Sequence, residues 1–220
     1  MIEFYTSPVR RSNVVLAFGL AVLAGLVTLG SAQAPPSFVI AGARIADGTG
    51  APLRSASVRV RGDTIATVGS FAPDPGETVV DGTGLVLAPG FIDAHNHSTE
   101  GLEKERAAVT QVSQGITTLA VGQDGSSPWP IAAYIARLRQ NPPAVNVVVL
   151  AGHATIRREV MGADYKRHAR PAETAKMRAL VDQAMKEGAI GLSSGLEYEV
   201  GSYSDVEELV EMARAAAARG

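Results

Sequence analysis

The sequence predicts an α/β protein, with about four βα units in a parallel arrangement from Leu85 onward and a small β layer ahead of them. Three observations carry this. Residues 38–88 alternate apolar and polar side chains with Gly/Asp punctuation, the mark of short strands and hairpins. From Leu85 the apolar runs lose that alternation and become continuous, as strands buried on both faces do. Between those runs lie segments with helical spacing.

The elements follow in order. "SFVIAGARIADGTG" runs into the turn formers Asp47, Gly48 and Gly50. "ASVRVRGDTIATVG" sets Val58 and Val60 against Arg59 and Arg61, turns at Gly62-Asp63, and resumes with Ile65 and Val68. "APDPGE" is a loop, and "TVVDGTGLVLAPG" gives two further short strands. "LVLAPGFIDAHNH" reads as one buried strand, followed by the apolar runs "ITTLAVG", "VNVVVLAGH" and "GAIGLSSG". Ile131, Tyr134, Ile135 and Leu138 fall at helical spacing, as do Met177, Leu180, Val181, Ala184 and Met185. The second of these helices is expected to start with Pro171 at its first position and to stop at Gly188. Ser204 to Glu207 reads as a capping box ahead of an apolar face of Val206, Leu209, Val210 and Ala213.

Composition narrows the function by exclusion. The chain has 220 residues, 46% of them hydrophobic, which suits a globular protein and argues against wholesale disorder. With 20 Lys+Arg against 22 Asp+Glu, the net charge of -2 gives no electrostatic case for nucleic acid as a partner. The absence of cysteine excludes disulfides, zinc ribbons and thiol catalysis.

Residues 1–34 have the order of a secretory signal: Arg10 and Arg11, an apolar stretch from Val14 to Leu29, then Ala32-Gln33-Ala34. Cleavage after Ala34 and an exported, periplasmic or secreted protein are expected, with the membrane involved only before cleavage. The competing expectation is a retained anchor over residues 14–29, which approaches the ~20 residues a span requires. The expected organisation is then the signal (1–34), a small β domain (35–84) and the βα units (85–220).

Two of the chain's four histidines, His95 and His97, stand one residue apart after an apolar run. In extended backbone both side chains point to one side, at the carboxyl end of a strand, where α/β folds bind ligands. Paired imidazoles there suit a zinc site. A polar turn and a pair buried for packing compete with that reading. Asp93 is in phase with both histidines and is expected to support them or to bond backbone.

"LAPGFIDAHNH" resembles the first barrel strand of the amidohydrolase superfamily. "VTQVSQGITTLAVGQDGSS", "VVLAGHATIRREVMG" and "EGAIGLSSGLEYEVGSYSDVEELVEMA" are similar to successive blocks of its D-aminoacylase branch, in order, from about Ile40 to the C-terminus. The resemblance implies the first half of a metal-dependent (β/α)8 barrel, preceded by a small β-sandwich portion. It implies a divalent metal, zinc foremost, as one or two ions. Ligation is implied for His95 and His97; Asp124 stands in Gly122-Gln123-Asp124-Gly125 where the family usually has a cysteine, and a turn competes with ligation there. Glu197 falls where some relatives place a group bridging two metals, and a solvated loop carboxylate is the alternative. Tyr198, His153 and Arg157 match positions tied to the substrate or its surroundings, against a packing aromatic, a core histidine and a helix-surface arginine. His168 reads as a solvated loop residue.

The activity implied is hydrolysis of the amide of N-acyl-D-amino acids by metal-activated water, with a small acyl-amino molecule as the substrate. The general base and the remaining histidine ligands are expected beyond the C-terminus, so this chain alone is expected to be inactive. Cyclic-amide hydrolysis, as in dihydroorotases and hydantoinases, and a non-catalytic half-barrel binding protein are the alternatives.

Overall fold

The computed structural model describes residues 36–219. The segment expected to direct export lies outside them, and among the described residues no helix is long and apolar enough to cross a membrane. The chain divides into two compact units. The described part of the first comprises residues 36–40 and 57–80, and the second comprises 41–56 and 81–219.

The early elements are β1 (Ser37–Ile45), β2 (Arg54–Arg61), β3 (Thr64–Gly69), β4 (Thr78–Asp81) and β5 (Val86–Leu87). In the first unit β2 and β3 form an antiparallel hairpin around Gly62-Asp63, with Val58 opposite Val68 and a register shift between Arg59 and Val60. Arg59 anchors the loop after β3: its Nε and Nη2 donate to Glu77 at 2.8 Å each, and its guanidinium lies 4.7 Å from the centre of the Phe71 ring. Ser37 Oγ donates to the same carboxylate at 2.5 Å. In the second unit the end of β1 pairs in parallel with β5, Arg44 against Val86 and Ile45 against Leu87.

The single strand expected over residues 85–97 is two. Pro89 and Gly90 interrupt it, because proline has no N–H to donate to a ladder. After the break, β6 (Phe91–Asn96) leads into α1 (Thr99–Lys104), α2 (Val109–Val112), β7 (Ile116–Val121), α3 (Ile131–Gln140), β8 (Asn146–Val149) and β9 (Ala151–Gly152). The rest is α4 (His153–Met161), α5 (Pro171–Glu187), β10 (Leu192–Ser193) and α6 (Val206–Ala217). Strands β6, β7 and β8 form a parallel sheet in chain order, and β9 and β10 pair in parallel separately. The expected parallel α/β pattern is therefore present. β6 differs from expectation in leaving Phe91 and Ile92 exposed.

The core of this unit joins Leu119 and Val121 of β7, Ile131 and Tyr134 of α3, Ile156 of α4, Met177 and Val181 of α5 and Met212 of α6. Each such large apolar side chain contributes about 1.5–3 kcal/mol on full burial. Helix α5 has the predicted ends. Pro171 opens it, Glu173 accepts from the Arg170 N–H at 2.7 Å, and Gly188 closes it at φ +111°, a conformation glycine adopts without steric cost.

Helix α6 corrects two expectations. Its cap is Asp205, whose Oδ1 accepts from the Glu208 N–H at 2.9 Å, while Ser204 Oγ donates to the Gly201 carbonyl. Its inward face is Glu208, Met212, Ala215 and Ala216; Val206 is 76% exposed, and Val210 and Ala213 are also exposed. The stripe read from apolar spacing missed the inward face because a carboxylate occupies it.

Candidate metal centre

The site is built from the carboxyl ends of β6 and β7. Extended backbone puts the His95 and His97 rings on one side, with their Nε2 atoms 3.1 Å apart. Asp93 holds the turn that follows: Oδ1 accepts from the His95 N–H at 3.2 Å, and Oδ2 accepts from Asn96 Nδ2 at 2.7 Å. Asn96 Oδ1 in turn accepts from the Ser98 N–H at 2.8 Å.

Beyond β7 the chain folds back through Gly122-Gln123-Asp124-Gly125. Asp124 has φ +55°, the left-handed region that Asp and Asn tolerate better than other residues with side chains. Ser193 at the end of β10 clamps this turn, accepting from the Gly125 N–H at 3.1 Å and donating to the Gly122 carbonyl at 2.5 Å. Buried Gln123 ties the turn to the histidine strand, donating from Nε2 to the Ala94 carbonyl at 2.7 Å. Gly152 packs beneath. A Cβ there would lie 2.5 Å from the Gly125 carbonyl oxygen, so only glycine permits that approach.

The outcome is a cluster of three donors. Asp124 Oδ2 lies 3.5 Å from His95 Nε2 and 3.3 Å from His97 Nε2. For zinc bonds of about 2.0–2.2 Å, the edges of a tetrahedron are roughly 3.3–3.6 Å. The separations of 3.3 and 3.5 Å from Asp124 match such edges, and the 3.1 Å between the two imidazoles is slightly shorter. Two imidazole nitrogens and a carboxylate oxygen also fit zinc chemically, the oxygen leaving harder divalent ions more competitive than sulfur would.

Tyr198 joins this group, its hydroxyl donating to Asp124 Oδ2 at 3.1 Å. That bond and the charge of Asp124 push the Tyr198 phenol above its ordinary value. Glu197 does not join: it is exposed in the turn after β10, outside the donor cluster.

His153 takes the core position that was one of its two readings, and Arg157 lies neither at the pocket nor on the helix surface. His153 opens α4 and Arg157 follows one turn later; both are 0% exposed and both face Glu208, itself 1% exposed. His153 Nε2 lies 2.7 Å from Glu208 Oε1, and Arg157 Nη1 donates to Glu208 Oε2. Arg157 Nη2 donates to the carbonyls of Tyr165 and Tyr203 at 3.1 Å each and to that of Arg167. Among the described residues, His153 Nδ1 and Arg157 Nε have no hydrogen-bond partner. Burial alone would raise the Glu208 carboxyl, but the bonds from His153 and Arg157 outweigh it and hold it low. This is a buried ionic tie between α4 and α6, turned away from solvent. His168 is exposed, as expected, with Nδ1 3.4 Å from Asp205 Oδ2.

A pocket of about 460 Å³ opens beside the donors, within the size range of small-molecule sites. His97, Asp124 and Tyr198 line it together with Gln123, Thr155 and Arg158, three residues the sequence did not single out. The signal for Arg158 was present but ambiguous: two adjacent arginines lie on different faces of a helix, and spacing alone does not say which faces in.

Fold and site define an α/β protein with a candidate metal centre at the carboxyl ends of its parallel strands. Residues 78–220 match the amidohydrolase family, and the chain belongs to that family. It is 39% identical over 208 residues to an N-acyl-D-aspartate deacylase of Alcaligenes xylosoxydans xylosoxydans, an alignment covering 84% of this chain and 42% of the relative. A D-aminoacylase solved in work on its binuclear metal centre superposes with a TM-score of 0.78 at 36% identity, over 84% of this chain and 44% of that one. An N-acyl-D-glutamate deacylase from Bordetella bronchiseptica, solved with zinc and a phosphonate inhibitor, gives 0.79 at 35% identity with the same coverage. The chain thus spans less than half the length of these relatives.

Proposed function

We propose that the protein is a zinc-dependent hydrolase of the amide bond in N-acyl-D-amino acids. One observation carries this: three donors, His95 Nε2, His97 Nε2 and Asp124 Oδ2, converge with separations that suit a tetrahedral ion, beside a pocket of small-molecule size. The relatives support the substrate class, since they are named for N-acyl-D-amino acids and one was solved with zinc. The sequence of residues 10–34 supports export to the periplasm or beyond.

When bound, zinc supplies Lewis acidity, polarising the amide carbonyl and acidifying water. The chain's own residues prepare that chemistry. His95 and His97 present Nε2 lone pairs, which requires their ring protons to sit on Nδ1. Asp124 contributes the negative charge, and Tyr198 fixes its carboxylate by donating one hydrogen bond. Gln123 and Ser193 keep the Asp124 turn in place against β6 and β10.

The test is metal content followed by turnover. Purified as a chain of the relatives' full length, the protein should carry zinc, lose hydrolysis of N-acetyl-D-amino acids on chelation, and regain it with zinc. His95→Asn and His97→Asn should each abolish both zinc retention and turnover. Full activity in the double variant would end the proposal.

A further inference from the structure

We propose that Glu208 is a positioning residue for the metal centre, fixing the Asp124 turn through His153 and the first turn of α4; this rests on the reading of His95, His97 and Asp124 as metal donors. The segment that follows Asp124 is bound directly to the start of α4. The Gly152 N–H donates to Ser127 Oγ at 2.9 Å, the Thr155 N–H to the Gly125 carbonyl at 3.0 Å, and the Ser127 N–H to Thr155 Oγ1 at 3.0 Å. Helix α4 has no side-chain cap of its own, so this loop satisfies N–H groups that would otherwise lack partners.

His153 stands between Gly152 and Thr155, whose N–H groups hold the loop, and its buried ring meets Glu208. Glu208 is a firm anchor. Its own N–H is tied to Asp205 at the cap of α6, and its second carboxylate oxygen is taken by Arg157. Against the pull of burial, the bonds from His153 and Arg157 keep the carboxylate ionised, so it can only accept. The proton of the 2.7 Å bond therefore belongs to His153 Nε2. Donation to a buried charge is a strong and directional bond. It joins α6 to the turn of α4 that holds the loop, and Ala154 and Thr155 of that turn line the pocket. An apolar pair in the same place would stabilise the fold about as well. What it would not supply is a fixed orientation for residue 153.

The experiment uses a chain of the relatives' full length. It reads zinc affinity by dye competition and the visible spectrum of the cobalt(II)-substituted protein, which reports donor geometry. His153→Leu, and separately Glu208→Leu combined with Arg157→Met, both delete the bond. Each should bind zinc about fivefold more weakly and shift the cobalt bands. His153→Gln, whose side-chain amide can donate where Nε2 does, should recover most of the affinity. Val181→Ala, a core change in α5, should lower the melting temperature and leave both readouts unmoved. Unchanged readouts in either bond-deleting variant, a loss that His153→Gln does not recover, or an equal loss in Val181→Ala overturns the proposal. Should His153→Leu fail to fold, the double variant decides alone. Should the parent bind neither ion, the metal reading fails by itself, and hydrogen exchange at the Ser127 and Thr155 amides decides instead. Exchange should be faster in the bond-deleting variants than in the parent, and equal rates overturn the proposal.

Discussion

Asp124 shows how much one residue carries at this site. Its left-handed backbone is one of the few conformations that Asp and Asn share readily, and it aims Oδ2 at both histidines and at the Tyr198 hydroxyl. Asp124→Asn is therefore a clean substitution: same shape, same backbone tolerance, no negative charge. We expect it to weaken zinc by at least about tenfold, the lower end of what losing a metal-site carboxylate costs, while thermal stability stays near that of the parent. Competition against a chelating dye reads the affinity; equal affinities would remove Asp124 from the ligand set. At this scale the sequence was informative where chemistry and spacing coincide. His95 and His97 stood out because a two-residue period puts both on one side of a strand. Glu197 and Tyr198 could not be ranked by spacing, since both sit in an irregular turn, and only the fold shows that the tyrosine reaches Asp124.

At the scale of elements, α6 makes the corresponding point about periodicity. Its apolar stripe was visible, yet the face that packs inward begins with Glu208, because that carboxylate meets Arg157 and His153 from α4. No hydrophobicity rule finds a buried acid; it takes the partners, which lie about fifty residues upstream. Removing one member should be costly. Glu208→Ala leaves a buried guanidinium without its counter-charge and is expected to lower stability by about 3–5 kcal/mol in urea unfolding. Combining Glu208→Leu with Arg157→Met should recover much of that loss, because the desolvation cost disappears with the pair. A loss below about 1 kcal/mol for Glu208→Ala would show that water reaches the cluster and relieves it. A glycine supports the site from the neighbouring element. Gly152→Ala drives a methyl group into the Gly125 carbonyl, so it should displace the Asp124 turn and lower zinc affinity without touching a ligand.

For the whole molecule, the class of fold was legible because the switch at Leu85, from alternating to continuous apolar runs, is a large-scale signal. The split between β5 and β6 was less legible, since Pro89 and Gly90 sit inside one apolar run and their effect on pairing is local. Charge placement, by contrast, makes a prediction about the protein as a whole. In the first unit the bonds from Arg59 and then Ser37 lower the Glu77 carboxyl from 4.5 to about 2. In the second, the bond from Arg167 and then the Arg170 N–H lower Glu173 from 4.5 to about 2. Both folded values lie below the unfolded ones, so the unfolded chain binds protons first as pH falls. The stabilisation from these carboxylates is complete above about 4.5 and is lost progressively as pH drops toward about 2. Melting temperature should be nearly level above that window as far as these groups are concerned, and should fall steeply within it. Glu77→Gln and Glu173→Gln should each lower the plateau and flatten the slope. The fluorescence of Trp129, the one tryptophan of the chain, lies in the second unit and reports the Glu173 change directly. A slope in that signal that Glu173→Gln leaves unaltered would mean that other groups govern acid unfolding of the second unit, with Glu208 the next carboxylate to replace.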